Sequence, residues 1–395
     1  MEIKDLSIHN DIINLFDYTQ NDDAKACLKK MLRTPLSSHN EIIERQNILK
    51  GFIDNLSVFS NYSYSRIDFR EANLFIDKFT DKLYLPKRIK LKLRMFKAKY
   101  YEYRSKFIQF VLLHNRLHNY VKNVSTSVFP ENYKKELLFM DEYLSSYRLN
   151  YYEKLIRENQ LRIKHIIEFF VLISERKNKK LDKKFKNTYT QFETYISVAI
   201  GIYNNKFKFP EMGASSLSLS DFYHPLLKNP VKNSLQTNSN VILLTGPNMS
   251  GKSTLLKAIG ICVYLANIGF AIPVTDAKIP FYNNIDIFIN LNDDLQSGYS
   301  HFMTEIINLK KVVKEAGENQ PCFAVFDELF RGTNIDDALE ISETTLKGML
   351  NFSESLFFVS SHLHQLINSE EIKSGKIDCY YLDCNLQNNT PAFTY

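Results

Sequence analysis

The sequence predicts two parts of different fold class: an all-α part over residues 1–205, followed by an α/β part over residues 206–395. The first observation is the distribution of glycine, which is disfavoured inside helices. Gly51 is the only glycine among residues 1–200, whereas the other eleven glycines follow. The second observation is a series of short apolar runs after residue 240, which is typical of buried parallel strands alternating with helices.

The charge of the chain changes near the same boundary. Residues 1–200 carry 36 Lys+Arg and 24 Asp+Glu, a net charge of +12, whereas residues 201–395 carry 14 and 20, a net charge of −6. The two values add to the +6 of the whole chain. The basic character therefore belongs to the helical part, which suits either a polyanionic partner or a solvated helix surface.

Composition and patterning favour a cytoplasmic protein. No apolar run approaches the roughly 18 residues that a membrane span needs, and the N-terminus lacks a signal-peptide pattern. The five cysteines are odd in number and lack metal-site spacing, which argues against a disulfide framework. We therefore expect no membrane partner.

The densest basic cluster of the helical part lies between Lys87 and Lys106, where Glu102 is the only acid. A basic helix can contact nucleic-acid phosphates through charge without reading sequence; a solvated helix face is the alternative. The lysines predicted as DNA-binding candidates are Lys90, Lys92, Lys97 and Lys99. The residues predicted as the apolar stripe of this helix are Leu91, Met95, Ala98 and Tyr101. A second basic cluster, residues 176–186, is predicted as a loop or a helix end.

The first apolar run of the α/β part, Val241 to Leu244, leads into TGPNMSGKST and then into a helical pattern. This GxxxxGK spacing between a strand and a helix is typical of a phosphate-binding loop. Its backbone N–H groups and the helix N-terminus can face a polyphosphate. Lys252 would neutralise the β- and γ-phosphates, and the Ser253 hydroxyl would hold Mg²⁺. The predicted ATP-binding residues are Gly246, Pro247, Asn248, Met249, Ser250, Gly251, Lys252, Ser253 and Thr254.

Two further apolar runs are predicted to bring catalytic groups to the same sheet edge. Residues 322–326 end in Asp327 and Glu328, about 75 residues after the phosphate loop. Asp327 would bind Mg²⁺ through water, and Glu328 would polarise the attacking water. Residues 356–359 precede Ser360, Ser361 and His362. His362 could then sense the γ-phosphate, with a structural histidine as the alternative.

Several segments resemble the ATPase domain of MutS mismatch-repair proteins, which belongs to the ABC class. They are TGPNMSGKST, DDLQSGYSHFMTE (Asp293 to Glu305), FDELFRGTNIDDA (Phe326 to Ala338) and SSH. The segment YHPLL (Tyr223 to Leu227) resembles the sequence that precedes the nucleotide site of that family. Met31 to Leu36 and Ile43 to Gln46 resemble the start of its helical core.

The resemblance implies an ABC-type P-loop ATPase domain preceded by a MutS core or lever-like helical domain. It implies ATP and Mg²⁺ as cofactors and a homodimer formed through the ATPase domains. Ser300 would lie in a signature loop that reaches the γ-phosphate bound by the other subunit, and residues 331–334 would couple the two sites. From the residues alone, Ser300 could equally be a helix N-cap.

The family pattern is incomplete in this sequence. Full-length members begin with mismatch-recognition and connector domains, for which there is no room before Met31, and the chain ends before the family's C-terminal dimerisation helices. We therefore expect an ATPase that acts on DNA in repair or recombination without reading mismatches itself, unless the chain is a fragment. The rival prediction is an ATP-driven switch on RNA, the ribosome or a protein partner.

Overall fold

The structure, a computed structural model, describes residues 2–72, 95–176, 179–247, 250–289, 301–318, 320–330, 334–387 and 390–394. The chain divides into two compact units. We call them the sheet unit, which contains Met1–Leu15, Met31–Gln46 and Ile202–Tyr395, and the helical unit, which contains Phe16–Lys30 and Asn47–Gly201.

The helices dominate the first two hundred residues, as the scarcity of glycine predicts. The α-helices of the described residues are α1 (Asp22–Arg33), α2 (His39–Asp54), α3 (Lys97–Asn123), α4 (Glu131–Ser145), α5 (Leu149–Arg157), α6 (Ile163–Arg176), α7 (Lys179–Asn204), α8 (Lys252–Asn267), α9 (His301–Gly317), α10 (Ile335–Met349) and α11 (Glu370–Lys373). Short 3-10 helices lie at Lys4–Leu6, Ile12–Leu15, Thr126–Val128 and His364–Asn368. Among the helices that the structure describes, none combines the length and apolar character needed to cross a membrane.

Among the described residues, every strand follows residue 210. They are β1 (Glu211–Met212), β2 (Ser218–Phe222), β3 (Asn233–Gln236), β4 (Val241–Thr245), β5 (Asp276–Ile279), β6 (Asn284–Phe288), β7 (Cys322–Phe326), β8 (Leu356–Ser361), β9 (Asp378–Tyr381), β10 (Asp383–Gln387) and β11 (Thr390–Thr394). A five-stranded parallel sheet has the order β6-β7-β8-β4-β9. A four-stranded sheet has the order β1-β5-β2-β3, and β10 pairs with β11 as an antiparallel hairpin.

The centre of the parallel sheet is buried on both faces. Every residue of β4, β7 and β8 is buried, which explains why these strands appear in the sequence as uninterrupted apolar runs. Phe326 of β7 pairs with Val359 of β8, and Thr245 of β4 pairs with Ser361. The residues that follow these strands therefore meet at the carboxyl edge of the sheet.

The N-terminal segment packs in the sheet unit rather than with the helical residues that follow it. The Ile287 N–H donates to the Glu2 carbonyl at 2.7 Å, and the Ile289 N–H donates to Asp5 Oδ2 at 2.7 Å. These bonds cover the outer edge of β6. The prediction placed all of residues 1–205 in one helical domain, and the difference arises from these long-range contacts.

Residues 31–46 also belong to the sheet unit, and they contact the end of α8. Tyr264 donates its hydroxyl hydrogen to the Leu32 carbonyl at 2.6 Å. Arg45 Nη1 donates to the Ile268 carbonyl, which directly follows α8, at 2.8 Å. The hydrogen bonds therefore hold both ends of this segment against α8.

The core of the helical unit is aromatic. Phe52 packs against Phe129, Tyr133, Phe192 and Tyr195, with ring centroids 5.2 to 5.7 Å apart. Such ring pairs add to the stabilisation gained from burying their surface. Tyr133 and Tyr195 therefore contribute to core packing in this unit.

The apolar stripe predicted between Lys87 and Lys106 needs correction. Met95, Ala98 and Tyr101, predicted as an apolar stripe, are exposed, because the buried residues of α3 begin at Phe107; Leu91 lies outside the described residues.

Candidate functional site

The predicted phosphate loop begins where β4 leaves the sheet. Gly246 has a φ of +149°, and a Cβ added there would lie 2.4 Å from the Leu382 carbonyl oxygen. Only glycine allows the chain to turn this close to the backbone that follows β9. Leu382 in turn donates its N–H to the Thr245 carbonyl at 2.8 Å. The residue that follows β9 thus stabilises the bend at Gly246.

The side chain of Lys252 is folded into the loop. Its Nζ donates to the carbonyls of Gly246 at 2.9 Å and Pro247 at 3.0 Å, and the residue is 6% exposed. The ammonium group therefore lies at the N-terminal end of α8, inside the curve of the loop. Ser250 Oγ is buried without a hydrogen-bond partner among the described atoms, so the loop presents an additional hydroxyl to its interior.

Ser253 connects the phosphate loop to the end of β7. Its hydroxyl donates to Asp327 Oδ2 at 2.5 Å, across 74 residues of sequence. Ser360 donates its hydroxyl hydrogen to Asp327 Oδ1 and accepts the Glu328 N–H at 2.9 Å. Burial raises the pKa of the Asp327 carboxyl, and the hydrogen bonds from Ser253 and Ser360 partly oppose that effect. Two predicted Mg²⁺ ligands are therefore in direct contact.

The turn after β7 has an unusual backbone. Glu328 has φ +55° and Phe330 has φ +63°, a left-handed conformation that L-residues other than glycine seldom adopt. The Phe330 N–H donates to Glu305 Oε2 of α9 at 2.8 Å, and Glu305 is 5% exposed. In the sequence, Glu305 stands out only as the last residue of DDLQSGYSHFMTE, a pattern that gives no sign of this support for the turn after β7.

A cavity of about 350 Å³ lies beside the start of α8. Burial and the charge of Lys257 lower the pKa of His224 in its wall. The YHPLL segment, Tyr223 to Leu227, thus lines the same cavity as residues of the phosphate loop. The residues lining the cavity are Tyr223, His224, Leu227, Lys228, Asn229, Val231, Asn233, Gly251, Thr254, Leu255 and Ala258.

The structure describes only some of the other residues predicted at this edge. His362 directly follows β8 and is exposed. Thr254 lies in the first turn of α8 and is exposed. Asn248, Met249, Ser300 and residues 331–333 lie outside the described residues. The trans role of Ser300 therefore remains a prediction.

The basic clusters are described only in part. Lys97 begins α3 and is exposed, Lys99 lies in the same helix, and Lys90 and Lys92 lie outside the described residues. The second cluster forms a helix end, since α6 ends at Arg176 and α7 begins at Lys179.

Two lysines of that second cluster are engaged in ion pairs. Lys184 contacts Glu136 at 3.1 Å, and Lys186 contacts Asp23 at 3.0 Å. These contacts with acids favour a structural role for Lys184 and Lys186.

The oxygen atoms at this edge suit Mg²⁺. Hydroxyl and carboxylate oxygens are ligands that this ion prefers, and it commonly keeps several waters and binds substrate phosphates. Among the residues that the structure describes, no group of three or more His, Cys, Asp or Glu side chains could hold a metal ion. Ser253 and Asp327 would thus need phosphate and water oxygens to complete a coordination shell.

The C-terminal part of the chain is similar to known proteins. Residues 242–395 match the family model for MutS domain V. Among similar proteins, the DNA mismatch repair protein MutS of Macrococcus caseolyticus is 30% identical over 171 residues, which are 41% of this chain and 20% of that protein. The DNA mismatch repair protein MSH3 of Yarrowia lipolytica is 32% identical over 171 residues, which are 43% of this chain and 17% of that protein.

A longer match extends further into the helical part of the sequence. The DNA mismatch repair protein MutS of Clostridioides difficile is 27% identical over 263 residues, which are 63% of this chain and 28% of that protein. The chain thus spans less than a third of the length of each of these relatives. Residues 242–395 are thus similar to MutS domain V, and the three relatives that match parts of this chain are named as DNA mismatch repair proteins.

Proposed function

We propose that the sheet unit is an ABC-type P-loop ATPase that binds ATP with Mg²⁺ and hydrolyses it to ADP and phosphate. The observation that carries this proposal is the hydrogen bond between Ser253 and Asp327. It brings a phosphate-loop hydroxyl and a strand-end carboxylate together, as a Mg-nucleotide site requires. The match to MutS domain V supports the same function.

Each side chain has a defined task in this proposal. Lys252 exchanges its contacts with the Gly246 and Pro247 carbonyls for the phosphates, and Ser253 and Asp327 hold Mg²⁺. An ion held by Ser253 and Asp327 would neutralise charge that develops on the phosphates. Glu328, positioned by the turn after β7, orients the attacking water. His362 contacts the γ-phosphate from the end of β8.

The cavity beside α8 is proposed to receive the base and sugar of the nucleotide. Gly251 and Thr254 belong both to the phosphate loop and to the wall of this cavity. A volume of about 350 Å³ falls within the range of small-molecule sites. A nucleotide whose phosphates lie in the loop could therefore place its base in the cavity.

Two substitutions separate binding from hydrolysis. Lys252→Ala should abolish ATP binding, because the loop loses its only ammonium group. Glu328→Gln should bind ATP but hydrolyse it roughly a hundredfold more slowly or worse, the usual loss when an oriented catalytic group is removed. Equilibrium binding of a fluorescent ATP analogue and phosphate release measure the two steps.

Glu343→Gln is the matched control for Glu328→Gln, because it removes the same charge from an exposed position of α10. It should leave both binding and hydrolysis at the wild-type level. Wild-type turnover in Glu328→Gln would contradict the role proposed for that carboxylate.

We further propose that the ATPase works as a homodimer and drives rearrangements on DNA during repair or recombination. The names of the similar proteins refer to DNA mismatch repair. The +12 charge of residues 1–200, derived from the sequence, supports contact with phosphates. The basic residues of the first cluster are the proposed DNA contacts.

The salt dependence of DNA binding tests the first basic cluster. Replacing three of Lys90, Lys92, Lys97 and Lys99 by glutamine should reduce the slope of log affinity against log salt by up to about three, because fewer counterions are released. Fluorescence anisotropy with a labelled duplex over a salt series gives the slope. An unchanged slope would show that this surface is only solvated.

The matched control replaces exposed lysines of the sheet unit, namely Lys310, Lys314 and Lys373. This triple variant removes equal charge and should keep the wild-type slope. RNA of equal length is measured in parallel. A preference for RNA of tenfold or more would favour the rival partner over DNA.

A further inference from the structure

The hydroxyl of Ser360 lies between the two acidic residues that follow β7. Ser360 is in β8 and is fully buried. It donates to Asp327 Oδ1 and accepts the Glu328 N–H at 2.9 Å. One hydroxyl on a neighbouring strand therefore contacts both a carboxylate oxygen and the next peptide N–H.

The second bond of Asp327 fixes the rotation of its carboxylate. Oδ2 accepts from Ser253, and Oδ1 accepts from Ser360. Ser253 lies in the first turn of α8, whereas Ser360 belongs to the sheet. With a hydroxyl on each oxygen, rotation about the last side-chain bond would break at least one hydrogen bond. Hydrogen bonds to a charged carboxylate are stronger than those between neutral groups.

The contact with the Glu328 N–H affects the backbone. Glu328 has φ +55°, which costs an L-residue roughly 1–2 kcal/mol. A hydrogen bond from its N–H to Ser360 Oγ offsets part of that cost and satisfies a donor that the strand pairing leaves unused. Loss of the hydroxyl would release the turn from which the Glu328 side chain projects.

A second serine next to β8 shows what a purely structural hydroxyl does in this sheet. Ser355 Oγ accepts the Cys322 N–H at 3.1 Å, at the opposite end of β7, and Ser355 is 4% exposed. It also contacts Cys322 Sγ at 3.3 Å. Both serines accept a backbone N–H at an end of β7, but only Ser360 also donates to a carboxylate.

We propose that Ser360 is a positioning residue that orients Asp327 and Glu328 together, so that the proposed metal ligand and the proposed water-orienting carboxylate depend on one hydroxyl. The inference rests on the ATPase function proposed above. Ser360 itself need not touch the nucleotide. Its effect should therefore appear in the Mg²⁺ dependence of nucleotide binding and in kcat.

The test compares Ser360→Ala with Ser355→Ala. For each protein, the affinity for a fluorescent ATP analogue is measured with Mg²⁺ and with EDTA. The ratio of these two affinities is the gain in affinity due to Mg²⁺, called the Mg²⁺ gain below. Ser360→Ala should reduce this gain by about tenfold, the value of one hydrogen bond to a charged group. It should also lower kcat more than it changes KM. Ser355→Ala should keep the wild-type gain, even if its Tm falls.

Conservative variants separate positioning from loss of fold. Ser360→Thr keeps the hydroxyl and should recover most of the Mg²⁺ gain. Ser360→Cys keeps the volume and weakens both hydrogen bonds, so it should shift the gain in the same direction as alanine. Thermal denaturation shows whether Ser360→Ala is folded. If it is not, Ser360→Cys is measured in its place.

Two outcomes would overturn the inference. The first is a folded Ser360→Ala or Ser360→Cys protein with the same Mg²⁺ gain and kcat as Ser355→Ala. The second is a Ser360→Thr protein no better than Ser360→Ala. If the wild-type protein bound no nucleotide, the proposed ATPase function would fail instead, so the two failures are distinguishable.

Discussion

Asp327 has a different hydroxyl partner on each of its two carboxylate oxygens. The residue types at positions 253, 327 and 360 therefore decide the geometry of the site. Ser253 comes from the phosphate loop and Ser360 from the neighbouring strand. An alanine at either position would leave one oxygen of a partly buried carboxylate without its partner, which costs roughly 1–3 kcal/mol or more for a charged group. At the scale of single residues, the site therefore depends on hydroxyl groups as much as on carboxylates.

Gly246→Ala should impair both folding and nucleotide binding. The added Cβ would lie 2.4 Å from the Leu382 carbonyl oxygen, and the backbone has φ +149°. Either the loop or the segment after β9 must move, at a cost of about 1–3 kcal/mol for the strained backbone alone. Chemical denaturation and ATP-analogue binding measure the two effects.

Gly348→Ala is the matched control for this prediction. Gly348 lies in α10, and a Cβ added there would have no atom within 4 Å. Alanine should therefore stabilise the protein by up to about 1 kcal/mol through its higher helix propensity. Equal stability changes in the two variants would show that the close approach at Gly246 is relaxed in solution.

At the scale of elements, α7 carries a buried carboxylate that collects hydrogen bonds from other segments of the helical unit. Glu193 is 1% exposed. It accepts the Gln20 N–H at 2.7 Å and the Asn21 side-chain amide at 2.7 Å. It also accepts the hydroxyls of Tyr64 and Tyr189. These bonds tie α7 to the residues before α1 and to the segment that follows α2.

The stability of the helical unit should depend on pH through Glu193. Burial raises the pKa of this carboxyl above its ordinary value of 4.5, and the hydrogen bonds from Tyr64 and Gln20 only partly oppose the shift. Between 4.5 and the raised pKa, the folded chain holds a proton that the unfolded chain has released. The contribution of Glu193 to stability is therefore largest at low pH and falls as pH rises, by at most about 1.4 kcal/mol per pH unit.

The measurement is the difference in free energy of unfolding between wild type and Glu193→Gln from pH 3.5 to 7. This difference should fall as pH rises above about 4.5. Glu131→Gln gives a control of opposite sign. The Lys134 side chain lowers the pKa of Glu131. The difference in free energy of unfolding between wild type and Glu131→Gln should therefore fall as pH drops below 4.5. A Glu193 difference that rises with pH would contradict the predicted direction.

For the whole molecule, ATP should convert the Glu328→Gln protein from monomer to dimer, or tighten an existing dimer. The family resemblance implies that Ser300 would reach the nucleotide of the other subunit, and such a contact would make dimerisation depend on bound ATP. Sedimentation velocity with and without Mg-ATP measures the change. Lys252→Ala, which should not bind ATP, is the control and should show no response. A strictly monomeric Glu328→Gln protein under saturating Mg-ATP would contradict the proposed homodimer.

The elements that depend on local pattern were predictable from sequence. β7 matches its predicted bounds, and β4 and β8 differ only at their carboxyl ends. These strands are buried on both faces, so each is a continuous apolar run between polar turns. The phosphate-loop residues and the Asp327–Glu328 pair were located in the same way, because motif spacing is a property of the chain itself.

The contacts between distant segments were not predictable in this way. The motifs predicted that Ser253 and Asp327 serve the same Mg²⁺, but they did not predict the double role of Ser360 or the support of Phe330 by Glu305. The sequence by itself determined the helical first half, the alternating second half and the residue types of the candidate site. Only the tertiary structure decided which hydroxyl faces which carboxylate, and that residues 2–5 pack along β6. The physical reason is that strand order brings together residues tens to hundreds of positions apart, and no local pattern of side chains encodes that order.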